Sequence, residues 1–165
     1  MKRILILFFI LFLFYGCGSW EFVHKNETGE LPLNNKTYLL IAGDNSPKFK
    51  SLISEKIGDV KSEDAVYKLS VNSEKTKSAL VINEDATASQ FLTEFFVSYE
   101  IYNLEEKCNI FVDGFKTESS FNAKSAGYSF GTDFSEERST FLNIQKNVDE
   151  FMSSLNRNAN FESCL

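Results

Sequence analysis

FLTEFFVSYEIY, residues 91–102, decides the fold. Phe91, Phe95, Val97, Tyr99 and Ile101 fall on one side of a two-residue period, and Leu92, Glu94, Phe96, Ser98 and Glu100 on the other. Aromatic and β-branched side chains dominate, as a pleated, half-buried surface prefers. The segment therefore reads as a strand with one strongly apolar face. Its second face still carries Leu92, Phe96 and Tyr102, which need cover by the chain ahead of the domain, by a partner, or by both.

Working outward, Asn103–Lys107 is a polar loop of hairpin size. Cys108–Phe115 is the next strand, with Ile110 and Val112 on one face, Phe111 and Phe115 on the other, and Thr117, Ser119 and Phe121 able to continue it. Upstream, Tyr67, Leu69 and Val71 alternate with Lys68 and Ser70. The polar run 73–78 and the apolar run 79–82 make this one bulged strand or two, before a turn at Asn83–Ala86. TYLLIAG, residues 37–43, is a short buried strand. Ser46 suits a helix N-cap and Pro47 the first helical position. Phe49, Leu52, Ile53 and Ile57 then recur at helical spacing until Gly58, so a helix covers 47–57.

Residues 122–132 read as a loop. Asp133-x-x-Glu136 resembles a capping box, and Phe141, Ile144, Val148, Phe151 and Leu155 form a helical stripe over 134–155. Residues 156–165 read as a flexible tail. The order β-α-β-β-β-α implies a two-layer α+β domain over 37–155, a mostly antiparallel four-stranded sheet with both helices on one face.

Ahead of it, Lys2 and Arg3 precede an apolar run from Ile4 to Tyr15, too short for the roughly 20 residues of a membrane-spanning helix. A basic start, a short apolar stretch and a small residue describe a secretory signal peptide over 1–16. Gly16-Cys17 resembles the end of a bacterial lipobox, although Phe14 and Tyr15 stand where a Leu-like and a small residue are usual. On that reading cleavage after Gly16 leaves Cys17 as an N-acylated, S-diacylglyceryl residue, and 17–36 is a tether from it. The alternatives are ordinary secretion with Cys17 as a thiol, or a short membrane anchor. Several acyl chains hold durably, since each buried methylene contributes ~0.8 kcal/mol. Gly18, in place of Asp, implies sorting to the outer membrane.

Lys2 and Arg3 are the only charges of the leader. Without it, 17 basic against 23 acidic residues become 15 against 23, a net of −8. That surface disfavours nucleic acid. The 149 residues left suit one domain. If Cys17 is acylated, Cys108 and Cys164 either pair or stay separate thiols. No Cys/His cluster supports a metal, and His24, the only histidine, lies in the tether. Glu105-Glu106 and Glu136-Glu137 are sequential, so neither pair shares a face. No phosphate loop or nucleophile elbow occurs, and the chain is not expected to be an enzyme.

Several segments in order resemble the LptE family, the lipopolysaccharide-assembly lipoproteins, in its alphaproteobacterial form. They are the Cys-Gly start at Cys17, Tyr67-Lys68-Leu69-Ser70-Val71, Asp85–Phe91 before the long strand, Val97–Ile101, Gly114, Ser120-Phe121-Asn122, and Ser125, Tyr128 and Phe130. Gln90 replaces the Arg that many relatives carry. The resemblance implies a lipid-anchored protein on the periplasmic face of the outer membrane. It would plug and help assemble the LptD β-barrel, contact lipopolysaccharide in transit, and carry no cofactor beyond its lipid.

Contact with lipid phosphates needs cations. Lys75, Lys77, Lys116 and Lys124 are the candidates, with Tyr99, Tyr102, Phe111 and Phe121 as aromatics for barrel or acyl chains or, alternatively, for the core. Two other readings are a free-standing periplasmic lipid- or glycan-binding lipoprotein and an auxiliary lipoprotein of an ABC-type exporter.

Overall fold

A computed structural model describes residues 31–123, 129–159, 161 and 164–165. The elements are β1 (Thr37–Gly43), α1 (Ser46–Ile57), β2 (Tyr67–Ile82), β3 (Ala88–Asn103), β4 (Cys108–Asn122) and α2 (Ser129–Asn158). They form an α+β fold with one open sheet in the order β1-β2-β3-β4. β1 runs parallel to β2, as its helical crossover α1 permits, and the two later pairs are antiparallel.

The core follows the periods of the sequence. Leu39, Leu69, Val71, Phe95, Val97, Tyr99 and Ile101 project from one sheet face. Phe49, Ile53 and Ile57 of α1, and Ile144, Val148, Phe151 and Leu155 of α2, close over them as one cluster. Phe49 meets Phe95 edge-on, and Phe151 stacks on Tyr99 with ring centroids 4.1 Å apart. Leu33 is fully buried and Thr37 Oγ1 donates to its carbonyl, so the last turn of the segment read as tether belongs to the domain.

β4 departs from simple alternation. Ile101 pairs with Phe111 but Tyr102 pairs with Asn109, leaving Ile110 as the extra residue of a bulge. Ile110 and Phe111 are consequently both buried, whereas Val112, expected beside Ile110, is 59% exposed.

Both helix starts also differ from expectation. α1 is preceded by Asn45 in the left-handed region, and no side chain caps it, so Ser46 is a helical residue and not the cap. The corner is held by β2 instead. Asp44 N–H donates to the Ser73 carbonyl at 2.8 Å, Asp44 Oδ2 accepts from Lys75 N–H at 2.8 Å, and Ser73 Oγ donates to the Asp44 carbonyl at 2.6 Å. Gly43 sits in this corner at φ +89°, where a Cβ would overlap the Ser73 carbonyl oxygen. Gly43→Ala is expected to cost about 2 kcal/mol or more, from left-handed strain plus backbone overlap. A thermal midpoint within a degree of the parent would show that this corner does not close on Ser73.

α2 begins at Ser129, four residues before Asp133, so no capping box forms and Glu136 is free for another role. The tail past Asn158 is not loose. Phe161 packs edge-on against Tyr67, Cys164 is bonded to Cys108 with Cα atoms 5.8 Å apart, and Leu165 N–H donates to the Asn109 carbonyl.

Candidate functional site

The residues read above as contacts for a charged lipid fall on opposite sides of the sheet. Lys75 and Lys77 leave β2 on the helix side, beyond the apolar core. Both reach Glu136 of α2, at 3.2 and 2.5 Å. Lys77 also lies over the stacked rings of Phe91 and Phe121, 4.7 and 5.1 Å from their centroids. Burial alone would raise the Glu136 carboxyl, but hydrogen bonds from Lys77 and Lys75 outweigh it and hold the group below the ordinary range. Any ligand anion at these lysines must therefore displace a protein carboxylate.

A carboxyl lowered by folding stabilises the fold above its unfolded pKa, and that contribution vanishes as pH falls through the lowered value. Glu136→Gln should therefore be less stable than the parent near pH 7, with the gap closing below about pH 4. Urea midpoints at both pH values test this, and an equal gap at both would exclude a charged clamp.

Lys116 lies on the outer sheet face between Glu94 and Glu118, at 2.5 and 2.9 Å. The hydrogen bond to Glu94, and then that to Glu118, push the Lys116 ammonium up. No single phosphate can bridge it to Lys75 and Lys77 through the sheet. Lys124, His24, Gly16 and Cys17 lie outside the described residues.

Three of the four candidate aromatics are core. Tyr99, Phe111 and Phe121 are buried on the helix side. The Tyr99 hydroxyl donates to Asn147 Oδ1 at 2.8 Å, and Asn147 Nδ2 donates to Thr117 Oγ1 and to the Phe115 carbonyl. Burial, and then Glu150, raise the Tyr99 pKa, so its hydroxyl remains protonated. Tyr102 is half-buried on the outer face with Lys68 over its ring.

That outer face has no covering element among the described residues. Leu40, Phe96 and Val112 are each at least half exposed on it. The Phe96 ring lies against Gly114, where a Cβ would come within 3.2 Å of it. Beyond the helices, the β2–β3 hairpin projects with Leu80, Val81 and Ile82 exposed. Its turn is tied by Asp85, which accepts from the backbone N–H and hydroxyl of Thr87. At the opposite end, Glu106 lies beside Cys108 and Cys164. With both sulfurs bonded to each other, no thiolate is left there for a metal.

Sequence reasoning missed two recesses flanking the first half of α2. One is a groove between the helices, about 410 Å³, where Leu52 faces Phe134 and Phe141. The other, about 390 Å³, lies between α2 and the end of β4, where Ser119, Ser120, Asn122 and Ser135 stand beside Phe121 and Leu142. The available signal was Phe134, which with Arg138 and Phe141 shares a helix face at four- and three-residue spacing.

The architecture is one that solved bacterial lipoproteins share, and the likeness is one of fold. A protein from Caulobacter crescentus described as a lipoprotein superposes with a TM-score of 0.59 at 10% identity, over 74% of this chain and 88% of that one. Rare lipoprotein B from Shewanella oneidensis gives 0.51 at 13% identity, over 73% and 94%. An uncharacterised lipoprotein B from Nitrosomonas europaea gives 0.52 at 12% identity, over 81% and 98%. No protein-family model and no curated protein matches the sequence.

Proposed function

We infer that the chain is a lipoprotein of the outer membrane, anchored through acylated Cys17, that occupies the lumen of an LptD-type β-barrel. There it supports barrel assembly and contacts lipopolysaccharide in transit. The observation that carries this reading is the fold shared with rare lipoprotein B, joined to a leader that ends at Gly16-Cys17. The mechanism is steric and needs no turnover. A rigid body fills the barrel, and its surface meets the wall with an uncovered sheet face and a long apolar-tipped hairpin. Exposed apolar surface of this kind marks an interaction site. No helix among the described residues is long and apolar enough to cross a membrane.

The test is affinity purification of the lipidated chain from detergent-solubilised envelopes. One large β-barrel should accompany it, and depletion of the protein should leave lipopolysaccharide missing from the cell surface. Purification without any barrel, together with normal surface lipopolysaccharide on depletion, would favour the free-standing binding lipoprotein instead.

A further inference from the structure

The two recesses beside α2 meet at one side chain; the first is apolar, and the second adds serine hydroxyls and Asn122 to the apolar surface of Phe121 and Leu142. Phe134, Arg138 and Phe141 stand at helical spacing toward α1, and Ser135, Ser139 and Leu142 stand one step round the helix toward β4. Phe134 is 63% and Phe141 43% exposed, and with Leu52 they form one contiguous apolar patch, the kind that marks a binding surface. Arg138 borders both recesses.

The charges around it are unequal. Lys48, at the edge of the groove, is paired with Glu137 at 3.4 Å. Lys75 and Lys77 are taken by Glu136, and Lys116 by Glu94 and Glu118. Arg138 has no carboxylate, ring or hydrogen-bond partner among the described residues. On a chain with a formal net charge of −6, a guanidinium without a partner among the described residues, between an oily groove and a recess of mixed serine and apolar lining, is complementary to an anion carrying both an acyl chain and a sugar. Each recess is large enough for part of such a ligand, since small-molecule sites run to about 300–1,000 Å³.

We propose that the first half of α2 is a binding site for a phosphorylated glycolipid. Arg138 engages its phosphate, the groove of Leu52, Phe134 and Phe141 takes one acyl chain, and the recess of Ser119, Ser120 and Asn122 receives the sugar edge. A guanidinium suits this place because its planar fork can hold two phosphate oxygens at once. The proposal rests on the reading that the protein contacts lipopolysaccharide, and it moves that contact away from the lysines already held by carboxylates.

The test uses the full-length chain in a Gram-negative envelope, with the photocrosslinking residue benzoylphenylalanine replacing Phe134, Phe141 or, as a control on the far sheet face, Phe96. After irradiation, lipopolysaccharide adducts should form at positions 134 and 141. They should fall by about tenfold with Arg138→Glu, the order expected for one lost charge-assisted contact, and recover in part with Arg138→Lys. Thermal midpoints of the two Arg138 variants, and barrel co-purification, should match the parent. Adducts with phospholipid or polypeptide alone, adducts indifferent to Arg138, or none at all would overturn the site. Barrel co-purification is read in the same cells. Its absence with the adducts intact would fault the barrel reading and leave the groove standing, and its presence without adducts would do the reverse.

Discussion

Phe151→Ala is expected to remove about 3–5 kcal/mol of folding stability, the range for truncating a buried Phe. The ring is fully buried, stacked on Tyr99 at 4.1 Å and edge-on to Phe111 at 5.7 Å. Its loss opens a cavity beneath α2 beside the buried Tyr99–Asn147 hydrogen bond. A domain of this size has only about 5–15 kcal/mol in total, and each kcal/mol shifts the thermal midpoint by roughly 2–4 °C. The midpoint should therefore drop by roughly 6–20 °C. Phe96→Ala, on the uncovered face, should change it by no more than a degree or two, since surface substitutions usually stay within about 0.5 kcal/mol. Equal melting of the two variants would place the core on the wrong side of the sheet.

Cys17→Ser should have the largest effect on location. A single acyl chain binds a membrane only marginally, and additional chains add ~0.8 kcal/mol per buried methylene, so on the function proposed above the anchoring rests on a lipidated Cys17. Among the described residues no helix offers a substitute. The expected result is loss of the lipid mass from the recovered chain, with the protein in the soluble fraction where residues 1–16 are removed and held on membranes by them where they are not. The described domain, whose core takes in Leu31 and Leu33, should melt unchanged. An unmodified thiol at Cys17 in the parent, or membrane retention of a Ser variant that has lost residues 1–16, would remove the lipoprotein reading.

How much of this could be read in advance depended on how local each cause was. β1 and the end of α1 at Gly58 follow from neighbours in sequence, and they were legible. The alternation of residues 91–102 was equally plain, and Tyr99 and Ile101 face the core as it requires. The bulge at Ile110 depends on the register of β4 against β3, which no single strand encodes. Asp133 and Glu136 have capping-box spacing, but Glu136 is drawn to Lys75 and Lys77, some 60 residues earlier. Phe141 fits the apolar stripe by period, yet it is 43% exposed and lines the groove beside α1, while Thr140, Asn143 and Ile144 take the buried positions against the sheet. The candidate lysines failed to converge for the same reason. Proximity in sequence could not show which face of the sheet each would take.

The bond between Cys108 and Cys164 links positions 56 residues apart, and β4 and α2 lie between them. A protease cut anywhere in that interval would release no fragment from the oxidised molecule, although two pieces would separate once it is reduced. Electrophoresis with and without thiol therefore distinguishes a nicked chain from an intact one, and a nicked molecule keeps both pieces joined until it is reduced.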